Sequence, residues 1–261
     1  MKTNIDDTAV QIKRSGDASI DNMFDYSAQD VENEGTIEVV SSNVDEVLND
    51  FKCSFKFSVD NSYSWYKPSV TLNPSEINHF VQKSIVYSSE KSYEHHLGLF
   101  MKILTMDSYQ KGHNNFAFDL SSHPELISLF QYFKAYKNNP IKIMINGDLG
   151  DRAFNNSRNI NVVVNGDLGW FSFYDCQNLI IDINGNVGGH FAGSSDSIVA
   201  RINGSADAGP GINSENISLY VREPVGKIKY ELNGGFILSG DKGMKYARYK
   251  IIVDKIKGAM K

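Results

Sequence analysis

Residues 141–238 contain a sequence pattern that returns every nineteen residues. The segment Asn-Gly-Asp-Leu-Gly occurs at 146–150 and again at 165–169, and related segments begin at Asn184 and Asn203. Four glycines share the same spacing, namely Gly147, Gly166, Gly185 and Gly204. A repeat of this regularity predicts a solenoid, in which each repeat forms one coil of the chain and stacks on its neighbours.

Each repeat also contains a short run in which apolar residues alternate with other residues. Alternation with a period of two, rich in β-branched side chains, indicates a strand with one buried face. All fifteen of the alternating positions are apolar: Ile141, Ile143, Ile145, Ile160, Val162, Val164, Leu179, Ile181, Ile183, Ile198, Ala200, Ile202, Ile217, Leu219 and Val221. A further apolar column contains Leu149, Leu168, Val187, Ala206 and Val225. We therefore predict coils stacked about 4.8 Å apart around an apolar interior.

The small and polar columns of the repeat are predicted to form its corners. The four glycines are expected to adopt a positive φ, which glycine does without steric cost. A second column contains Asn159, Asn178, Ser197, Asn216 and Gly235. It is expected to form another corner, because Asn tolerates the left-handed region better than most residues. A third column begins with Asp148 and Asp167 and continues as Asn186 and Ser205, which is typical of turn residues rather than of catalytic acids or metal ligands.

These residues resemble the GXGXG β-solenoid domain, which is part of the glutamate synthase large chain and of one component of formylmethanofuran dehydrogenase. The similarity involves residues 147–151, 166–169 and 185–188 for the turn and 160–164 for the strand. The chain departs from the family at its next glycine, which is replaced by Phe154, Phe173 and Ala192 and returns only at Gly211. The resemblance implies a diverged right-handed β-solenoid that serves as a structural module without catalytic residues of its own.

The predicted fold class is an α+β N-terminal domain followed by a right-handed single-stranded β-solenoid of about five coils and a C-terminal helix. Residues 1–34 form an acidic tail that is predicted to be disordered. Residues 35–140 are interpreted as an α/β domain that caps the solenoid, and the solenoid itself occupies residues 141–240. Residues 241–261 are predicted to form a basic amphipathic helix that closes the other end.

Within residues 35–140 the pattern alternates between strand and helix signals. Strands are predicted over residues 36–40, 55–59 and 116–120. Helices are predicted from Asn43 through Phe51, from the capping sequence at Asn73, over residues 92–107 and over residues 124–136. The last two helices are inferred from apolar residues at helical spacing: Leu97, Phe100, Met101 and Leu104, then Leu126, Leu129, Phe130 and Phe133.

Composition and charge exclude several classes of protein. The formal net charge of −5 provides no basic excess for general nucleic-acid binding. No run of eighteen apolar residues is present, and the first residues are too polar for a signal peptide, so a cytoplasmic protein is expected. The two cysteines, Cys53 and Cys176, are too few for a disulfide scaffold. The basic C-terminal helix permits binding at a membrane surface, but packing on the last coil is favoured.

The chemistry-bearing residues indicate no catalytic, cofactor-binding or metal site. His95 and His96 are adjacent on a predicted helix, so their side chains point in different directions and do not chelate one metal together. No phosphate-binding glycine loop and no nucleophile motif is present in the sequence. The irregular residues of the second coil are therefore the candidate binding residues: Trp170, Phe171, Phe173 and Tyr174.

Three functions stay open at this point. The sequence favours a non-catalytic scaffold or protein-interaction subunit of a larger assembly, whose partner is another protein. The first alternative is an enzyme that acts on a polysaccharide along the solenoid, and a groove with clustered acids and exposed aromatic residues would favour it. The second alternative is a filament-forming protein of the bactofilin type, in which solenoids stack end to end.

Overall fold

The computed structural model describes residues 42–56, 68–223, 225 and 233–240, all within one compact unit, Val40–Met244. These residues form three α-helices, a short 3₁₀ helix at Ile85–Tyr87 and seven strands. The helices are α1 (Ser42–Ser54), α2 (Pro74–Ser84) and α3 (Tyr93–Gln110). The strands are β1 (Asn115–Asp119), β2 (Ile141–Asn146), β3 (Arg158–Asn165), β4 (Gln177–Ile183), β5 (Asp196–Ile202), β6 (Glu215–Val221) and β7 (Asn233–Ser239).

Several predicted elements lie partly or wholly outside these described residues. The acidic tail at 1–34, the strand at 36–40 and the C-terminal helix at 241–261 lie outside the described residues. Of the strand predicted at 55–59, residues 55 and 56 form a turn that follows α1, and the remainder lies outside the described residues.

The seven strands form one parallel sheet in chain order, which confirms the predicted β-solenoid of about five turns. Ile143, Val162, Ile181 and Ala200 occupy one column across β2, β3, β4 and β5, as the nineteen-residue period predicts. A second ladder consists of single-residue bridges that join Leu149, Leu168, Val187, Ala206 and Val225. The two ladders lie on either side of the glycine corner, and together they close each coil around its interior.

The interior of the solenoid is apolar throughout. The fifteen predicted inward positions are all buried, and none exposes more than 2% of its surface. Three phenylalanines add a second stack inside the coils, with ring centroids 5.3 Å apart for Phe130 and Phe154 and 4.9 Å apart for Phe154 and Phe173. Burial of this continuous column is the main favourable contribution to the stability of the fold.

The two predicted corners have different physical causes. The asparagine column is left-handed as predicted, with φ values of 59° at Asn159, 56° at Asn178 and 52° at Asn216. A positive φ was predicted for all four glycines of the other column, and this prediction is wrong beyond the first of them. Gly147 has a φ of 124°, but Gly166 and Gly185 have no positive φ. A Cβ at Gly166 or Gly185 would overlap the carbonyl oxygen of the glycine one coil earlier. Close approach between coils therefore requires these glycines.

The last described strand departs from the period. Gly235 is nineteen residues after Asn216 in the sequence, but the structure pairs Gly235 with Ile217 and Asn233 with Glu215. The final coil thus contains eighteen residues, and Gly235 does not belong to the asparagine column. Its φ of 143° and the overlap that a Cβ would make with the backbone of Ile217 explain why glycine occupies this position.

The helix predicted over residues 124–136 is wrong, because this segment forms the turns of an additional first coil. Leu126 pairs with Leu149, and Lys134 pairs with Arg158. The four apolar residues that were predicted to share a helix face are buried, but they line the solenoid interior. The solenoid therefore begins at β1 and not at residue 141. The buried residues of this segment are three and four positions apart because right- and left-handed backbone conformations alternate along it. The φ angle is positive at Ser128, Phe130 and Tyr132.

The three helices predicted from Asn43, from Asn73 and over residues 92–107 are confirmed. Asn73 and Glu76 form the predicted capping box of α2, with both side-chain-to-backbone hydrogen bonds at 2.9 Å. The helices share an aromatic core, in which the ring of Phe51 lies 5.5 Å from Phe80 and 5.2 Å from Phe100. Helix α2 packs against β1, and Asn78 accepts a hydrogen bond from the backbone N–H of Asp119. The helices therefore cover the first edge of the sheet.

Ile181→Asp is expected to unfold the solenoid, because it places an unpaired carboxylate in the centre of a closed apolar column. The loss should be about 3–5 kcal/mol, which is comparable with the whole stability of many domains. Thermal denaturation followed by circular dichroism measures it. Ile180→Asp is the matched control, since this neighbouring residue lies on the outer, partly exposed face of β4. A cooperative transition of Ile181→Asp near the wild-type temperature would contradict the burial of this column.

Candidate functional site

Each coil contains a run of turns in which every second residue is left-handed. In the second repeat these residues are Phe171, Phe173 and Asp175, with φ values of 59°, 56° and 55°. A left-handed non-glycine residue costs roughly 1 kcal/mol. Hydrogen bonds between coils offset this cost, for example from the N–H of Phe173 to the carbonyl oxygen of Ala153 at 2.8 Å. We call the outer surface of these runs, at 127–134, 151–158, 170–177, 189–196 and 208–215, the turn face.

The centre of the turn face carries an aromatic cluster, which consists of Trp170, Phe171, Tyr174 and His190. Trp170 is 48% exposed and Phe171 is 36% exposed. The ring of Phe171 stacks on the ring of His190, with centroids 4.8 Å apart and an interplanar angle of 7°. Trp170 lies 6.3 Å from His190, and Tyr174 lies 5.9 Å from Phe171. Four aromatic side chains from two adjacent coils thus form one surface.

Two glycines of the next coil leave the space that two rings of this cluster occupy. A Cβ at Gly189 would lie 3.0 Å from the ring of Trp170, and one at Gly193 would lie 2.9 Å from the ring of Tyr174. The hydroxyl of Tyr174 also accepts a hydrogen bond from Ser194 at 2.7 Å. The rings therefore lie against the backbone of the following coil in fixed orientations. Such preorganised aromatic groups lose little conformational entropy when they contact a ligand.

Three of the four predicted binding residues belong to this cluster, and the fourth does not. Phe173 is fully buried and stacks on Phe154 with an interplanar angle of 3°. It occupies a column whose residues are all left-handed: Phe130, Phe154, Phe173, Ala192 and Gly211. Phe173 therefore contributes to the core and offers no surface to a partner.

Sequence reasoning missed the residues that position the cluster. His190, Gly189 and Gly193 follow Phe171, Trp170 and Tyr174 by nineteen residues, and this spacing could have indicated the contacts.

A shallow groove adjoins Trp170 on the side of the glycine corner. Its polar lining consists of Asp167, Asn186, Ser205 and Asp207. Asp167 accepts a hydrogen bond from the N–H of Asn186 at 2.7 Å, and Asn186 accepts one from the hydroxyl of Ser205 at 2.9 Å. The predicted column of turn residues is thereby confirmed, because these side chains bond to the coil that follows. The groove can offer hydrogen bonds beside an indole ring.

Two histidines, His96 and His123, make contacts inside the protein, whereas His79 on α2 is exposed. His96 is buried in α3, and burial lowers its pKa, with a further contribution from His95. The ring of His123 shares a hydrogen bond with the hydroxyl of Tyr93 at 2.8 Å. Burial raises the pKa of that Tyr93 hydroxyl to about 12. In the part of the chain that the structure describes, no three His, Cys, Asp or Glu side chains come together as metal ligands.

The fold and this surface together define a parallel β-solenoid with an exposed aromatic cluster. Comparison with protein-family models, with curated proteins and with solved structures gives no match for this chain. Among the described residues, no helix combines the length and the hydropathy that a membrane span requires.

The two cysteines should differ sharply in reactivity. Cys176 is buried in the interior, and burial raises the pKa of its thiol to about 12, whereas Cys53 is exposed. Because the thiolate is the reactive form, Ellman's reagent should titrate one thiol per folded chain and two after unfolding in guanidinium. Cys53→Ser should abolish the fast reaction and Cys176→Ser should preserve it. Rapid modification of Cys176 in the folded protein would contradict its position in the core.

Proposed function

We propose that this protein is a non-catalytic protein-interaction subunit that presents the turn face of its solenoid to a protein partner. The observation that carries the proposal is the aromatic cluster, in which Trp170 and Phe171 are exposed and yet held in place by the next coil. Tryptophan and other aromatic residues contribute strongly to protein interfaces when they are central and rigid. The core of the solenoid does not need these two side chains.

The acidic residues of the repeat support a structural role and not a catalytic one. The carboxylate of Asp148 accepts a hydrogen bond from the N–H of Asp167 at 2.8 Å, and the carboxylate of Asp167 accepts the same bond from Asn186 at 2.7 Å. One reaction needs an asymmetric set of groups, whereas these groups repeat one contact from coil to coil. Their chemistry is accounted for by the geometry of the corner.

The proposal includes a relationship to the GXGXG β-solenoid domain. The support is conformational: Phe154, Phe173 and Ala192 stand where the family has glycine, and each is left-handed like Gly211. A glycine would adopt this conformation without cost, so the family pattern and the backbone agree. On this basis the solenoid is right-handed and the chain is a diverged structural module. A cytoplasmic location is a separate part of the proposal.

Removal of the exposed aromatic surface should abolish partner binding without unfolding the protein. The double substitution Trp170→Ala and Phe171→Ser deletes the two exposed rings, and Phe171 already occupies a strained left-handed position that serine tolerates equally well. Affinity purification of the tagged full chain from its native cells, followed by quantitative mass spectrometry, should show at least about tenfold loss of specific partners.

Val86→Ser is the matched control, because it removes an apolar side chain that is 72% exposed but lies in the 3₁₀ helix, away from the turn face. It should retain the partners of the wild-type protein, and circular dichroism should show both variants folded. Identical sets of co-purifying proteins for the wild type and the double variant would refute the binding of other proteins by this surface.

A second candidate function is the binding of an extended polysaccharide. The groove beside Trp170 favours it, since polar side chains follow one another coil by coil next to an indole ring. Sugar rings stack on aromatic faces and accept or donate hydrogen bonds to amides and carboxylates. End-to-end filament formation receives less support, because α2 packs against the first strand of the sheet.

Polysaccharide binding is testable through the fluorescence of Trp170, one of the two tryptophans of the chain. Titration with a panel of oligosaccharides should shift or quench the emission if the groove binds them, and Trp170→Phe should remove the response. Asn178→Ala, on a different corner, serves as the control. A response that survives Trp170→Phe would exclude the groove as the binding site.

A further inference from the structure

One column of the turn face changes its charge from one end of the solenoid to the other. The backbone pairing places Lys134 next to Arg158, Arg158 next to Gln177, Gln177 next to Asp196, and Asp196 next to Glu215. Lys134, Arg158 and Glu215 are exposed, and the other two are partly exposed. With coils about 4.8 Å apart, the column runs about 19 Å from two positive charges to two negative charges.

The neutral centre of this column lies in the coil that carries three of the four aromatic side chains of the cluster. Gln177 ends the run of turns that contains Trp170, Phe171 and Tyr174. The turn face thus has an aromatic centre, a basic end and an acidic end. The positions of the charges are antisymmetric about the central coil, since each positive residue has a negative counterpart at the same distance on the other side.

We propose that the turn face binds a second copy of this chain, with the two solenoids side by side and antiparallel. The proposal rests on the proposed function and names its partner. A two-fold axis across the face at the coil of Gln177 places each column against itself in reverse order. Lys134 then faces Glu215 of the other copy, Arg158 faces Asp196, and the aromatic clusters meet at the axis.

The alternative arrangements of two copies are less favourable. A parallel pair would place each positive residue against a positive residue, and like charges in contact repel. A pair shifted by one coil would lose matched charges and would bring Trp170 against Asp151 or Gly189 instead of against an aromatic ring. The antiparallel pair in register satisfies both the charges and the apolar centre.

One residue opposes the arrangement and provides a sensitive test. Asp175 is exposed beside Tyr174 in the central coil, so the two-fold axis brings it near its own copy. Two carboxylates close to the axis repel each other. Asp175→Asn should therefore tighten the association, whereas removal of an acidic residue from an unrelated surface should not.

The experiment is sedimentation-velocity ultracentrifugation of the full chain over a wide concentration range, at low and at moderate ionic strength. Wild-type protein should form dimers that weaken as salt is added. Lys134→Glu alone and Glu215→Lys alone should each raise the dissociation constant about tenfold, because each creates two repulsive contacts per dimer. The double variant Lys134→Glu with Glu215→Lys restores opposite charges and should return the constant to near the wild-type value.

The matched control is Lys91→Glu, an exposed charge reversal in the turn before α3, which should leave the dimer unchanged. If Lys134→Glu fails to fold by circular dichroism, Arg158→Glu with Asp196→Arg tests the inner pair in the same way. A monomer at every concentration, a dimer insensitive to both single reversals, or a double variant as weak as the single ones overturns the proposal.

These results separate the dimer from the wider function. If the chain is monomeric while Trp170→Ala with Phe171→Ser loses other co-purifying proteins, the second copy is wrong and the interaction function stands. If the charge exchange restores the dimer while no other protein depends on the aromatic residues, the dimer stands and the proposal of a different protein partner fails.

Discussion

Direct stacking of each residue on the residue one repeat away is the contact on which the remainder of this structure depends. It makes every position part of a column, so each side chain must pack against or bond to the residues at the same position of the two adjacent coils, about 4.8 Å away. Apolar columns merge into a core, and asparagines bond in a ladder, with Asn165 donating to Asn146 at 2.6 Å and Asn184 donating to Asn165 at 2.7 Å. The carboxylate of Asp182 pairs with Arg201 of the next coil for the same reason.

Because stacking explains residues that recur, the side chains that occur once on the surface are those most informative about function. Trp170 and Phe171 have no aromatic copies one repeat earlier, where Asp151 and Arg152 stand. They remain exposed, and the small residues of the following coil accommodate them. The ordered change of charge from Lys134 to Glu215 is equally unnecessary for stacking. Both features concern what the surface can contact.

The turns combine unfavourable backbone conformations with a rigid surface. Non-glycine residues at positive φ are individually unfavourable, yet they occur at corresponding positions of successive coils, where hydrogen bonds between coils hold them. Phe154 and Phe173 gain a buried ring stack in this conformation, which a glycine could not provide. The same arrangement keeps the aromatic cluster oriented and encloses the thiol of Cys176.

Periodicity alone determined the solenoid, its inward columns and its left-handed asparagines, because each of these depends on contacts at one fixed sequence separation. It did not determine where the solenoid begins: Leu126, Leu129, Phe130 and Phe133 have helical spacing, and only the pairing of Leu126 with Leu149 shows that they line a coil. Periodicity also did not distinguish Phe173, which is buried, from its exposed neighbours Trp170 and Phe171. Which way such a side chain points depends on alternating backbone handedness, and that is fixed by hydrogen bonds between coils and not by local sequence.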